Sequence, residues 1–181
     1  MYASRTTDLI NRSTDRLPDI IPTVLHGPLF WVNSGKANIY GAEISEKYMF
    51  TKENSMTLGY SYTESRDDAT NKLLPLIPVH LATMGTDIKL LEKLSWNLNL
   101  DFTGPLKREP GDLRDDLTPT IVANTTLRYG SIRNWDFYLS VYNLTNTKIY
   151  TPTEIGFAPA SDLLNPGTEF LVGATYKFSS L

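Results

Sequence analysis

Seven stretches of this chain alternate apolar and polar residues, an eighth and weaker one precedes them, and the gaps between them run short, long, short, long. Between Leu94 and Phe102, the residues Leu94, Trp96, Leu98, Leu100 and Phe102 share one parity, while Ser95, Asn97, Asn99 and Asp101 share the other. An extended backbone points successive side chains to opposite faces, so the segment has one greasy face and one wet face. The spacing predicts strands over about Lys36–Phe50, Met56–Thr63, His80–Leu90, Leu94–Phe102, Ile121–Tyr129, Trp135–Tyr142 and Glu169–Phe178, with Tyr2–Ile10 as the weak first member. Asn11–Gly35, bearing Pro18, Pro22 and Pro28, reads as a polar connection. Glu46 falls on the apolar parity of its segment, and a β-bulge would explain it.

Each segment approaches the ~9–11 residues with which a tilted strand crosses a bilayer. Short turns on one side and long loops on the other match the two ends of an outer-membrane barrel. From Met56 onward the expected strands carry no Lys or Arg on the apolar parity. A cation on a lipid-facing position near mid-membrane costs roughly 2–4 kcal/mol, which explains the avoidance. Aromatics cluster beside the short turns: Tyr48 and Phe50, Tyr129 and Trp135, Tyr176 and Phe178. Their amphipathic rings favour the headgroup level. Trp96, Phe102, Tyr129, Trp135, Phe137 and Phe170 are the aromatics expected to face lipid. The fold class is therefore all-β: an antiparallel up-and-down transmembrane barrel wall of about eight strands. Alternation by itself also describes a soluble β-sandwich with one buried face per sheet, and eight strands are enough to close a small barrel.

Other features exclude more than they assign. The chain has 181 residues, a formal charge of −3 and no Cys. Its 17 basic residues form no stripe, so no nucleic-acid partner is expected. No apolar run reaches the ~18 residues of a transmembrane helix. Met1–Ile10 lacks the basic start and apolar core of a secretory signal peptide, which a barrel crossing the inner membrane needs. The front of a longer protein is therefore expected to be missing. No nucleophile elbow, zincin or P-loop pattern occurs, so no catalytic residue, cofactor or metal is assigned. Asp67-Asp68 and Asp112 with Asp115-Asp116 read as solvated loop charge, not a calcium loop. Arg66, Lys107, Arg108 and Arg114 read as solvated loop cations, with attraction of an anionic chelate as the alternative. His26 reads as an idle or structural loop residue, with haem or metal binding as the alternative, and His80 as the start of a strand. The sequons at Asn124 and Asn143 are read as chance.

The C-terminal half resembles the end of TonB-dependent outer-membrane receptors. Ser140-Val141-Tyr142-Asn143-Leu144-Thr145-Asn146, with Tyr150 after it, is similar to a stretch near their C-terminus. Asn143, Leu144 and Asn146 carry that likeness. Asn165-Pro166-Gly167-Thr168-Glu169-Phe170 resembles their final hairpin through Pro166 and Gly167, although Thr168 stands where members often have Arg. Asn33-Ser34-Gly35 followed by Gly41-Ala42-Glu43, and Pro78-Val79-His80, resemble earlier strands. The resemblance implies that residues 1–181 are the C-terminal part of a barrel of about 22 strands. The N-terminal barrel, plug and TonB-interacting segment would lie outside it. It further implies an outer-membrane receptor, not an enzyme, that takes up a scarce nutrient: a ferric siderophore, haem, cobalamin or similar small ligand. The partners implied are outer-membrane lipid of a Gram-negative bacterium, the TonB complex, and the barrel-assembly machinery. Gly173, Tyr176 and Phe178 resemble the terminal signal read by that machinery, with Ser179-Ser180-Leu181 extending beyond it.

Overall fold

Alternation becomes hydrogen-bonded ladders in the computed structural model, which describes residues 1–7, 10–13, 30–33, 35–109, 111–132, 134–153 and 161–178. The strands are β1 (Tyr2–Thr7), β2 (Ile10–Ser13), β3 (Phe30–Asn33), β4 (Lys36–Met49), β5 (Ser55–Asp67), β6 (His80–Leu91), β7 (Leu94–Thr103), β8 (Thr120–Ile132), β9 (Trp135–Tyr142), β10 (Tyr150–Thr151), β11 (Leu163–Leu164) and β12 (Glu169–Tyr176). Eight of them form one sheet in the order β1-β4-β5-β6-β7-β8-β9-β12. Every neighbouring pair in it is antiparallel. β2 pairs with β3, and β10 with β11, as small separate ladders.

The strands are joined alternately at two ends. Residues 50–54, 92–93 and 133–134 make the short connections, and 68–79, 104–119 and 143–168 the long ones. The register keeps like with like. Glu46, Leu58, Met84, Leu100 and Ala123 lie on one cross-strand row, as do Ile88, Trp96, Leu127 and Leu139. One face is thus mainly apolar, with Glu46 as its charged exception, and the other mainly polar.

No second large sheet covers the apolar face among the described residues. Their only buried hydrophobic residues are Ala37, Ala123 and Val141. Phe170 is 72% exposed and Val172 75%. A water-soluble sandwich hides such a face between two sheets, so the arrangement does not favour that alternative. Nor do β1 and β12 pair with each other, so the sheet is open among the described residues.

The structure departs from expectation in several places. β5 continues to Asp67, where a loop was expected from Glu64. Glu64, Ser65, Arg66 and Asp67 pair with Tyr40, Ile39, Asn38 and Ala37. These residues are polar on both parities, so alternation stops while the ladder goes on. Within the expected polar connection, Asn11–Ser13 and Phe30–Asn33 pair as strands that alternation does not reveal, the first of them beginning one residue earlier at Ile10. Finally, no bulge occurs at Glu46, because β4 and β5 stay in register from Ala37↔Asp67 to Met49↔Ser55. The register shifts lie instead at Lys89/Leu91 and Tyr129/Ile132. Glu46 therefore projects from the apolar face. His26, Pro18, Pro22, Pro28, Ser34 and Ser179-Ser180-Leu181 lie outside the described residues.

Candidate functional site

Three parts of the sheet have the chemistry of a site: the polar face, the long-loop end and the apolar face. The polar face forms a concavity of about 940 Å³ toward the short-turn end, walled by Asp87, Lys89, Asn97, Arg128, Asp136 and Lys177. Lys89 and Lys177 are matched locally. Lys89 Nζ lies 2.5 Å from Glu53 Oε1, and Lys177 Nζ lies 2.5 Å from Asp136 Oδ2. Asn97 Nδ2 donates to the Thr86 carbonyl at 2.8 Å and to Asp87 Oδ1 at 3.0 Å. A polar lining of this kind holds water or a polar ligand without burying unpaired charge.

At the long-loop end a charge cluster joins two loops. Arg108 donates through both terminal nitrogens to the Asp162 carboxylate, with Nη1–Oδ1 at 3.0 Å. Arg114 Nη2 donates to Asp112 Oδ2 at 2.6 Å and to the Thr153 carbonyl at 2.7 Å. Arg114 Nη1 reaches Asp162 Oδ1 at 3.1 Å and Thr153 Oγ1 at 3.0 Å. The Arg108, Asp112 and Asp162 side chains are only 9%, 7% and 14% exposed. Hydrogen bonds from Arg114 pull the Asp112 carboxyl down to about 2. Arg108 likewise holds Asp162 below the usual carboxylate range, and Asp162 raises the Arg108 guanidinium in return.

Two cations and two anions thus neutralise each other in a nearly closed clasp. Arg108 and Arg114 are not the solvated loop residues the sequence suggested, because their partner Asp162 lies some fifty positions away in the chain. Lys107 is exposed and pairs with Asp116 at 2.5 Å, while Arg66 pairs with Glu64. Asp68 takes Arg5 and Asn38 at 2.7 Å each. Asp67 accepts from Ala69 and Thr70. These acids are engaged by donors, and no group of acidic or His side chains able to hold a metal ion occurs among the described residues.

Asn143 and its neighbours make a knot where β9 leaves the sheet. Asn143 adopts φ 48° and Asn146 φ 52°, a left-handed backbone that Asn tolerates better than most residues. The Asn143 side chain donates to the Thr147 carbonyl at 2.9 Å and accepts the Thr147 N–H at 2.8 Å. Its own N–H donates to Asn124 Oδ1 at 2.9 Å, and its carbonyl accepts Thr168 Oγ1 at 2.8 Å. Leu144 N–H donates to the Ala123 carbonyl at 2.7 Å. Gly167 sits against Asn146, whose Oδ1 would be 2.4 Å from a Cβ there. Pro166 is exposed beside it. The Asn143–Asn146 run and Gly167, separate in sequence, are brought together, and Asn124, Thr147 and Thr168 complete the knot.

The six aromatics expected to face lipid lie on the apolar face. Tyr129, Trp135, Phe137 and Phe170 are exposed, and Trp96 and Phe102 half-buried. Trp96 Nε1 donates to Thr125 Oγ1 at 2.7 Å, so its one polar group is satisfied. Near the short-turn end Trp135 meets Phe137 at 6.2 Å and Tyr176 at 5.0 Å, and Tyr176 meets Phe178 at 4.9 Å. At the other end His80 begins β6, with Nδ1 2.8 Å from Tyr60 Oη. Gly173 lies on the polar face opposite Tyr138, so its side of the strand differs from that of Tyr176 and Phe178.

A family model described as "TonB dependent receptor-like, beta-barrel" matches residues 1–144. No curated protein matches the sequence. Among solved structures, the chain is similar in fold to the closed form of the ferric-catecholate import receptor Fiu from E. coli K12. The two are 21% identical with a TM-score of 0.70, over 97% of this chain and 24% of that one. The copper transporter OprC is 18% identical with a TM-score of 0.73, over 97% of this chain and 28% of that one. The ferric yersiniabactin uptake receptor FyuA from Yersinia pestis is 20% identical with a TM-score of 0.68, over 80% of this chain and 24% of that one. The chain spans about a quarter of the length of these proteins.

Proposed function

The chain belongs to the TonB-dependent receptor-like β-barrel family, and from that premise we propose that it forms the C-terminal wall of an outer-membrane receptor for TonB-dependent nutrient uptake. The rest of the barrel, the plug and the TonB contact belong to the remainder of that receptor. The observation that carries the reading is the pairing of a bare apolar face with a concave polar one on a single sheet. In lipid, apolar side chains are stable when exposed, and every backbone N–H and C=O needs a partner. A sheet of this kind is suited to stand between lipid and a water-filled lumen.

The long loops face outward in this reading and the short turns face the periplasm. The clasp of Arg108, Asp112, Arg114 and Asp162 then shapes part of the outer mouth. The named ligands of the structural neighbours, a ferric catecholate, ferric yersiniabactin and copper, point to a metal chelate or a comparable small nutrient. The reaction is transport, and the chain supplies wall and mouth residues, not reacting groups. Trp96, Phe102, Tyr129, Trp135, Phe137 and Phe170 contact lipid. Gly173, Tyr176 and Phe178 present the last strand to the assembly machinery of a Gram-negative outer membrane.

Deleting the gene that carries this chain tests the reading. The expected result is loss of growth on one chelated nutrient, reproduced by loss of TonB, with the product found in the outer-membrane fraction. Uptake indifferent to TonB, or a product in the soluble fraction, would overturn it.

A further inference from the structure

The apolar face changes character at its long-loop end. Beyond Leu58 and Met84, strand parity sets Tyr40, Tyr60, Tyr62 and His80 on that face. These rings make a belt: His80 Nδ1 lies 2.8 Å from Tyr60 Oη, and its ring centre 5.5 Å from that of Tyr62. Past the belt β5 continues as Glu64-Ser65-Arg66-Asp67, still paired with β4. Lys36, Asn38, Glu64 and Arg66 share the outward parity there, and Arg5 of β1 faces Asn38. Lys36, Arg5 and Arg66 are the only Lys or Arg on that face of the eight-stranded sheet among the described residues, and all three stand at this one end. Asp68 holds Arg5, and Glu64 holds Arg66. Asn38 donates to Asp68 at 2.7 Å, and the Tyr62 hydroxyl donates to Glu64. Lys36 is exposed and forms no ion pair among the described residues, while its carbonyl accepts the Asp68 N–H at 2.8 Å. Three cations thus stand against two carboxylates, and one positive charge is left for a partner.

Aromatic rings of this kind mark the level where hydrocarbon gives way to headgroups. Cations just past them meet the phosphates of a lipid, to which Arg and Lys make strong charge-assisted hydrogen bonds. We propose that Lys36, Asn38, Glu64 and Arg66, with Arg5, form a ledge that binds the phosphate-bearing headgroup of an outer-leaflet lipid. The acyl part has its own place on the same face, an apolar groove lined by Leu58, Tyr60, Ala82, Met84, Leu100 and Phe102. Tyr60 joins the two parts, since its ring lines the groove and its hydroxyl meets His80 at the belt. A soluble anion would leave that groove unused, so the occupant is a lipid. The ledge also gives the polar extension of β5 a purpose: it carries headgroup contacts beyond the height at which an apolar face is needed.

The inference rests on the barrel reading above, which sets this face against lipid. Its test uses the full receptor, purified in detergent and freed of bound lipid. The probes are lipid A and the same lipid stripped of its phosphates. Lipid A is expected to bind more tightly than the stripped form and to raise the temperature of the heat-induced gel-mobility transition. Lys36→Glu should weaken lipid A binding by about three- to tenfold, the range of one or two exposed ion pairs, and leave binding of the stripped lipid unchanged. Lys52→Glu, in the short turn at the opposite end, should change neither. Equal binding of the two lipids, or equal losses from Lys36→Glu and Lys52→Glu, overturns the proposal. So does inorganic phosphate that binds as tightly as the lipid. A full receptor with no heat-modifiable barrel would overturn the barrel reading and this inference with it, whereas a heat-modifiable barrel indifferent to the lipid's phosphates overturns this inference alone.

Discussion

The ring of Tyr138 occupies the space that a side chain at Gly173 would need: a Cβ there would come 2.2 Å from Tyr138 Cζ. The two residues face each other across the β9–β12 ladder. The same arrangement recurs at the opposite margin of the sheet. A Cβ on Gly41 would lie 2.2 Å from Tyr2 Cζ, and the Tyr2 hydroxyl continues to Thr63 Oγ1 at 2.7 Å. Each outermost ladder is thus held by a tyrosine laid over a glycine on the polar face. Replacing Gly173 by Ala forces the Tyr138 ring to swing off the glycine. In the full receptor this should lower the gel-transition temperature, and Gly173→Ala combined with Tyr138→Ser should recover part of the loss. A Gly173→Ala protein with an unchanged transition would refute the close approach.

The loop clasp should be tolerant of acid down to a definite range. Asp112 titrates near 3.8 when free and at about 2 in the folded loops. A carboxyl with a lowered folded value contributes stability above its free value and loses it as pH falls through the folded one. Protease sensitivity of residues 104–119 should therefore stay flat from neutral pH to about 4 and rise between about 4 and 2. Opening near pH 6 would contradict this assignment.

Removing one member of the clasp tests its role in joining the loops. Asp162→Asn leaves Arg108 and Arg114 without their shared carboxylate, a loss of roughly 1.5–3 kcal/mol for each charged hydrogen bond that is not replaced. Hydrogen exchange should quicken in both 104–119 and 161–168 while β7 and β9 stay protected. Change confined to one loop would mean the two are not coupled.

Asn143 is expected to be the most sensitive position of the knot. Asn143→Ala removes both bonds to the Thr147 backbone and places Ala at φ 48°. Unsatisfied buried groups and a left-handed Ala together cost roughly 2–4 kcal/mol. The yield of folded receptor in outer membranes should fall, and Asn143→Gly, which keeps the backbone free to turn, should fall less. Equal yields for the two variants would remove the backbone argument.

The 181-residue chain by itself should not refold in detergent as a closed barrel, because β1 and β12 do not pair. A heat-modifiable gel shift of the refolded chain would show that eight strands close on their own.

Much of the wall was legible in the residues. Trp135–Tyr142 was bounded to the residue, and Leu94–Thr103 to within one, because a strand with one greasy face writes a period of two into its sequence. Where both faces are polar the period vanishes, and Glu64–Asp67 went unseen as strand for that reason. Glu46 was visible as an exception in the pattern, but only the unbroken register of β4 with β5 excluded a bulge and placed it on the apolar face.

The likeness of Asn143-Leu144-Thr145-Asn146 and Pro166-Gly167 to a family end was recognisable, yet not why those residue types stand there. Their partners, Asn124, Thr147 and Thr168, are ordinary polar residues whose relation exists only in space. Arg108 and Asp162 make the same point: a charge pair between distant loops leaves no trace in local composition. The order of amino acids alone decided which side chains share a face, since that follows from backbone geometry residue by residue. Tertiary structure decided which loops, glycines and carboxylates meet, because those contacts depend on the register and neighbours of strands far apart in the chain.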